Sequence, residues 1–167
     1  MNSGKRFENN FKKSIPKDVY VYRFKDGSAS WGGNEKVRFQ AKNICDFMLY
    51  KKPYLFLFEL KSTKGKSLPN TNIKKHQLED LLIASKYKGT VCGLLIEFSD
   101  YNTVYFIEIN EYDKFIKCNI RKSIPVEYLK EKGIEVETTK KKVNIKLNIE
   151  NMLSQIVREE EKTNKIK

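Results

Sequence analysis

The chain has 167 residues, 40% of them apolar and 12% aromatic, which suits a single domain with a real core and excludes a disordered polar chain. Its 33 basic residues against 21 acidic ones give a net charge of +12, spread along the whole length, so a polyanionic partner is expected, most often nucleic acid and less often an anionic membrane surface. No apolar run approaches the roughly 20 residues that span a bilayer, and the polar start MNSGKRFENNFKK lacks the apolar segment of a signal peptide, so the expectation is a cytoplasmic protein.

Ser3 suits an N-cap for a first helix running to about Ile15, stopped by Pro16. Phe7, Phe11 and Ile15 form its apolar face. Glu8 borders that face four residues before Lys12; spacing favours a surface pair with Lys12 over a carboxylate turned inward. Asp18 to Phe24 alternates as a strand, and the Gly/Ser-rich segment KDGSASWGGNEK follows as a loop. Trp31 in that loop either packs over the sheet edge or stacks on a base.

The stretch from Cys45 to Lys61 reads as two apolar strands joined by a turn at Lys51-Lys52-Pro53-Tyr54. A hairpin closed there sets Tyr50 opposite Leu55 and Asp46 opposite Glu59, with directly opposed Cβ atoms about 5 Å apart. Glu59 and Lys61 leave the same strand face, separated by about 7 Å. Two carboxylates and an ammonium on an otherwise apolar hairpin need a partner, and a divalent cation is the natural one.

Ser62 to Asn72 is a polar connection in which Lys64 and Lys66 could cradle phosphates, or simply face solvent. Asn72 can cap a second helix from about Ile73 to Lys86, with Ile73, Leu78, Leu81, Leu82 and Ala84 inward and Gly89 ending it. Gln77 looks toward the core and wants polar partners. His76, the one histidine, defaults to a capping or surface role. Val91 to Phe98 is an apolar run suited to a central strand. A turn at Ser99 to Asn102 leads into a strand from Thr103 to Ile109, then short helices near Glu111 to Lys117 and Val126 to Lys132. Lys140 to Lys142 reads as solvated, Val143 to Leu147 as an edge strand, and Ile149 to Val157 as a helix before a frayed charged tail, residues 158–167. A single domain over residues 1–157 is expected. Cys45, Cys92 and Cys118, odd in number and set in apolar surroundings, read as small buried hydrophobes rather than disulfides or ligands.

Phosphodiester hydrolysis needs an activated water, charge stabilisation and help for the leaving alkoxide. Asp46 and Glu59, with the Leu60 carbonyl and Glu8, form an oxygen set suited to Mg²⁺, which keeps several waters and needs few protein ligands. Lys61 beside it can orient the attacking water and offset charge. There is no Walker-type phosphate loop and no Cys/His zinc pattern, and a nucleophilic serine or cysteine would have His76 alone to call on.

The pattern Asp46, twelve residues, Glu59-Leu60-Lys61, then Gln77 on the next helix resembles the PD-(D/E)xK nuclease superfamily. The longer string CDFMLYKKPYLFLFELKSTKGKSLPNTNIKKHQLEDL resembles the RecU family of Holliday junction resolvases, especially its shorter phage-type members. Family motifs fall on Gly4 and Glu8, Asp46, Glu59 and Lys61 with Ser62 and Thr63, Ser67 and Pro69, and His76 and Gln77, and the likeness runs from residue 4 to about 109. The family's basic stalk between the first strands is reduced here to Asp26 to Lys42, with Lys36, Arg38 and Lys42.

The resemblance implies an α/β, restriction-endonuclease-like core, a mixed central sheet flanked by helices in the order αβββαβ. It implies a Mg²⁺-dependent endonuclease (Mn²⁺ substituting) that nicks four-way DNA junctions symmetrically as a homodimer. Asp46, Glu59 and Leu60 would hold the metal, Glu8 would be an auxiliary carboxylate, Lys61 would position water, and Gln77 would orient the site from behind. Lys36, Arg38, Lys64, Lys66 and His76 would contact DNA. Two alternatives stand beside this: another nuclease of the superfamily, acting in repair or restriction, and a non-catalytic nucleic-acid-binding module. The intact Asp46, Glu59 and Lys61 argue against the module.

Overall fold

The computed structural model describes residues 3–24, 42–118, 120–141 and 144–165. Trp31, Lys36 and Arg38 therefore lie outside the described residues. The first helix, α1 (Ser3–Ser14), begins on Ser3 itself, so that residue is not its cap, and Phe7 and Phe11, one turn apart, are fully buried. Full burial of such a side chain contributes about 2–3 kcal/mol. Pro16 follows the helix end, and Ser14 Oγ both donates to the Asn10 carbonyl at 2.7 Å and accepts from the Leu147 N–H at 3.0 Å.

β1 (Tyr20–Arg23), β2 (Phe47–Lys51) and β3 (Tyr54–Thr63) form an antiparallel meander. Tyr50 pairs with Leu55 as expected, but Lys51 pairs with Tyr54, so the loop is Lys52-Pro53 alone and not four residues. Ser62 and Thr63 prolong β3. The rest of the expected polar connection folds too: β4 (Ser67–Pro69) and a 3₁₀ turn (Asn70–Asn72) precede α2 (Lys75–Ala84). The second helix thus starts later than its periodicity suggests. Ile73 is extended and buried, and Lys74 stands at the N-cap with no side-chain bond, so Asn72 does not cap it. Gly89, at φ +83°, does not end α2 but turns the chain into the next strand, where its carbonyl accepts the Leu55 N–H at 2.8 Å.

β5 (Thr90–Phe98), β6 (Thr103–Glu108), α3 (Ile109–Cys118), β7 (Ser123–Pro125), α4 (Val126–Lys132), β8 (Ile134–Val136), β9 (Thr138–Lys141), β10 (Asn144–Leu147) and α5 (Ile149–Lys165) complete the order. Six strands form a mixed sheet, β1-β2-β3-β5-β6-β8, in which β3 and β5 are parallel and the other neighbours antiparallel. The parallel pair needs a crossover, and α2 supplies it. Phe7, Phe11, Leu49, Phe58 and Leu95 pack with α5 residues Leu153 and Ile156 on one face; Leu57, Leu94 and Ile96 pack with Leu81, Tyr112 and Leu129 on the other.

Several expectations are corrected. β4 pairs with β7 because Leu68 and Ile124 are both fully buried, a long-range contact with no local signature. Asn144–Leu147 is an edge strand as expected, but of a separate two-stranded ribbon with β9, which also carries Lys141 and the exposed Lys140. α5 continues to Lys165, past the expected start of a frayed tail, since Ile149, Met152, Leu153 and Ile156 set an apolar stripe that carries the helix. Cys45 and Cys92 are buried, whereas Cys118, at the end of α3, is exposed.

Candidate active site

Asp46 stands one residue before β2, and its main chain already continues the sheet: its N–H donates to the Phe58 carbonyl at 3.2 Å and its carbonyl accepts the Phe24 N–H at 3.0 Å. Continuing the β2–β3 register places it across from Glu59. At this point a side chain takes over the ladder, for the Leu60 N–H donates to Asp46 Oδ2 at 2.8 Å. The carboxylate is fixed against the strand that carries Glu59 and Lys61.

Glu59 is 1% exposed, in the middle of a strand whose neighbours are Phe58 and Leu60. Lys61 Nζ, two residues on along the same face, donates to Glu59 Oε1 at 2.5 Å. Glu59 Oε2 is buried and has no hydrogen-bond partner among the described residues. Burial first, and then the Glu59 charge, push the Asp46 carboxyl up to about 7, against the Leu60 N–H and the Lys61 ammonium, which hold it down. Among the described residues, two carboxylates share this site with a single ammonium. The pair is short of positive charge.

α1 delivers Glu8 to the sheet's flank, but its partner is not Lys12. Arg23 grips Glu8 Oε2 with both Nε, at 2.9 Å, and Nη2. Glu8 still acts on Asp46 through space, adding to its upward shift. Gln77, 7% exposed on α2, sits on the helix packed over the Glu59 face, and its Oε1 is buried without a partner among the described residues. His76 is half-buried, and Lys64 and Lys66 are exposed just beyond β3. Among the described residues, no group of three His, Cys, Asp or Glu side chains forms a ready cage, so the acidic centre is Asp46 with Glu59.

Two features escape sequence reasoning. Arg23, the partner of Glu8, sits on a strand recognised mainly by its aromatic alternation. Glu97, 1% exposed, is bonded by Arg6 and Ser62; a lone charge inside the apolar run VCGLLIEF is the signal that could have flagged it.

An αβββαβ core whose hairpin sets an aspartate across from a Glu-x-Lys places the protein in the PD-(D/E)xK nuclease superfamily. Within it, the chain belongs to the RecU family, described as Recombination protein U, whose profile it matches over residues 6–155. The SPbeta prophage-derived uncharacterized protein YotM of Bacillus subtilis (strain 168) is 33% identical over 180 residues, 98% of this chain and 91% of that protein. The Holliday junction resolvase RecU of Staphylococcus aureus (strain JH9) is also 33% identical, over 102 residues, 59% of this chain and about half (49%) of that protein's length. A solved structure of Hjc, a Holliday junction resolvase from Archaeoglobus fulgidus, aligns with a TM-score of 0.49 at 16% identity, covering 79% of this chain and 95% of that one. No helix among the described residues is long and apolar enough to cross a membrane.

Proposed function

We propose that this protein is a Mg²⁺-dependent, structure-selective DNA endonuclease that resolves four-way junctions by paired nicks. The observation that carries the reading is the grouping of Asp46, Glu59 and Lys61 on one sheet face, with the ammonium 2.5 Å from Glu59 Oε1 and the other Glu59 oxygen buried and without a partner among the described residues. An orphaned buried carboxylate oxygen beside a second carboxylate of raised pKa fits a hard divalent cation. Asp46 and Glu59, with the Leu60 carbonyl, are the residues that would hold it. The chemistry such a cation supplies when bound is a more acidic water and neutralisation of charge developing on the phosphoryl oxygens.

The chain's own groups do the rest. The Leu60 N–H holds Asp46 in one orientation, so the site is assembled before substrate arrives. The Lys61 ammonium orients the attacking water and offsets charge in the transition state. Arg23 keeps Glu8 at the flank as an auxiliary carboxylate, and Gln77 orients the site from behind. Lys64 and Lys66, with His76 on α2, meet the phosphate backbone, and the net charge of +12 draws DNA in. A two-fold homodimer would set two such sites on two strands.

One incubation tests the reading. A labelled four-way junction and a linear duplex of matching sequence are offered with and without Mg²⁺. The expected result is paired nicks in the junction alone, and only with the metal. Equal cutting of both substrates would point to the general repair or restriction nuclease, and binding without cutting would point to the non-catalytic module.

A further inference from the structure

Glu97 is the charged residue of β5, and both its carboxylate oxygens are occupied: Arg6 Nη2 donates to Oε1 at 3.1 Å and Ser62 Oγ to Oε2 at 2.6 Å. A buried ion pair is weak evidence of a stabilising role, because apolar side chains of the same volume commonly serve the fold as well. Its position says more. Ser62 and Glu97 are partners in the parallel β3–β5 register, one residue short of the carboxyl ends of both strands. Ligands of open α/β sheets bind beyond the carboxyl ends of the strands. Ser62 directly follows Lys61, and Arg6 lies two residues before Glu8 on α1.

Arg6 reaches this rim from α1 with 34% of its side chain exposed. Glu97 engages one of its nitrogens, and its Nε is buried with no acceptor among the described residues. With Nε buried and one Nη2 hydrogen taken by Glu97, the two Nη1 hydrogens and the second Nη2 hydrogen are the donors a ligand could meet, in a fixed orientation. A planar fork of donors held at one end and open at the other suits phosphate oxygens, which it meets bidentately.

We propose that Arg6 binds a backbone phosphate of the DNA strand being cut, with Glu97 and Ser62 as the positioning residues that aim it; this rests on the nuclease reading above. The contact is sequence-independent, as phosphate contacts are, and it sets register rather than specificity. Ser62 and Glu97 leave the sheet on the α1 face, opposite to Glu59 and Lys61, so a phosphate gripped by Arg6 lies at the carboxyl rim at a fixed offset across the sheet edge from them.

The test is the double variant Arg6→Gln, Glu97→Gln. It removes the guanidinium and the buried carboxylate together, so no buried charge is stranded and the net charge stays at +12. Binding of a labelled four-way junction is measured across a range of KCl concentrations, beside thermal unfolding and Mg²⁺-dependent nicking. The expected result is a near-normal melting temperature, a salt slope shallower by about 0.9, binding about ten-fold weaker, and a loss in nicking concentrated in KM. Arg6→Lys, which keeps the charge without the fork, keeps the slope and recovers part of the affinity. Should the double variant fail to fold, Glu97→Gln alone is read for weaker binding at an unchanged slope. Wild-type affinity and slope in the folded variant would overturn the proposal and leave the pair as a staple between helix and sheet. A wild type that neither binds nor cuts DNA would instead overturn the nuclease reading, and this proposal with it.

Discussion

The Leu60 N–H donates to Asp46 Oδ2 at 2.8 Å, so the first carboxylate of the site is bonded to the residue between Glu59 and Lys61. That bond joins the entry to one hairpin arm to the other arm, and it fixes which carboxylates share the site. Its electrostatic effect is outweighed: burial and Glu59 still raise the Asp46 pKa from 3.8 to about 7.

A raised carboxyl pKa makes the folded protein take up a proton that the unfolded chain has already released between those two values. Stability from this group is therefore full at acid pH and declines as pH rises toward and through 7. A cation bound at the site displaces the proton, so its affinity rises over the same range. Thermal unfolding should show a larger Mg²⁺-induced rise at pH 8 than at pH 6, and Asp46→Asn should abolish the difference. An equal rise at both pH values in the wild type would show that Asp46 does not report on the metal.

Lys61 is the sole hydrogen-bond donor to Glu59 among the described side chains, and Glu59 is 1% exposed. Lys61→Met strands a buried carboxylate, a change that typically costs about 3–5 kcal/mol. Urea unfolding without metal should show that loss, and adding Glu59→Gln should restore most of it. A loss under about 1 kcal/mol in the single variant would mean that water reaches Glu59 freely.

Much of this site is legible from residues alone, because a hairpin is local. The alternation on either side of Lys52-Pro53 sets the register, and the register sets Asp46 against Glu59 whether the loop is counted as two residues or four. What is not legible is long-range. Leu68 and Ile124 are each a single apolar residue in a polar setting, and nothing nearby says that they pair. The late start of α2 arises because Ile73 is drawn into the core as an extended residue, overriding a periodicity that suits a helix. Glu8 pairs with Arg23 rather than Lys12 because the sheet brings Arg23 alongside α1, a neighbour that helical spacing cannot reveal.

Gln77 separates a structural from a functional role. Its Oε1 is buried without a partner among the described residues, so Gln77→Met, similar in volume, should change stability by less than about 1 kcal/mol. Nicking should nevertheless fall about ten-fold if the amide orients the site. Unaltered nicking kinetics in a stable variant would remove Gln77 from the mechanism.

Gly93, inside β5, tests the packing that holds the site's strands together. A Cβ there would lie 2.5 Å from the Ile107 carbonyl oxygen and against the Phe106 ring, and a backbone atom cannot step aside. Gly93→Ala should destabilise by about 1–3 kcal/mol in urea unfolding. A neutral result would show that β5 and β6 are less tightly packed than their geometry indicates.

The central claim is that Asp46, Glu59 and Lys61 act as one cation-dependent centre on DNA. The most direct measurement is cleavage and binding of a labelled four-way junction by Asp46→Asn in Mg²⁺. The account predicts cleavage lowered by about a thousand-fold or more, with the junction still bound close to the wild-type affinity. Cleavage retained at the wild-type rate by that variant would contradict it.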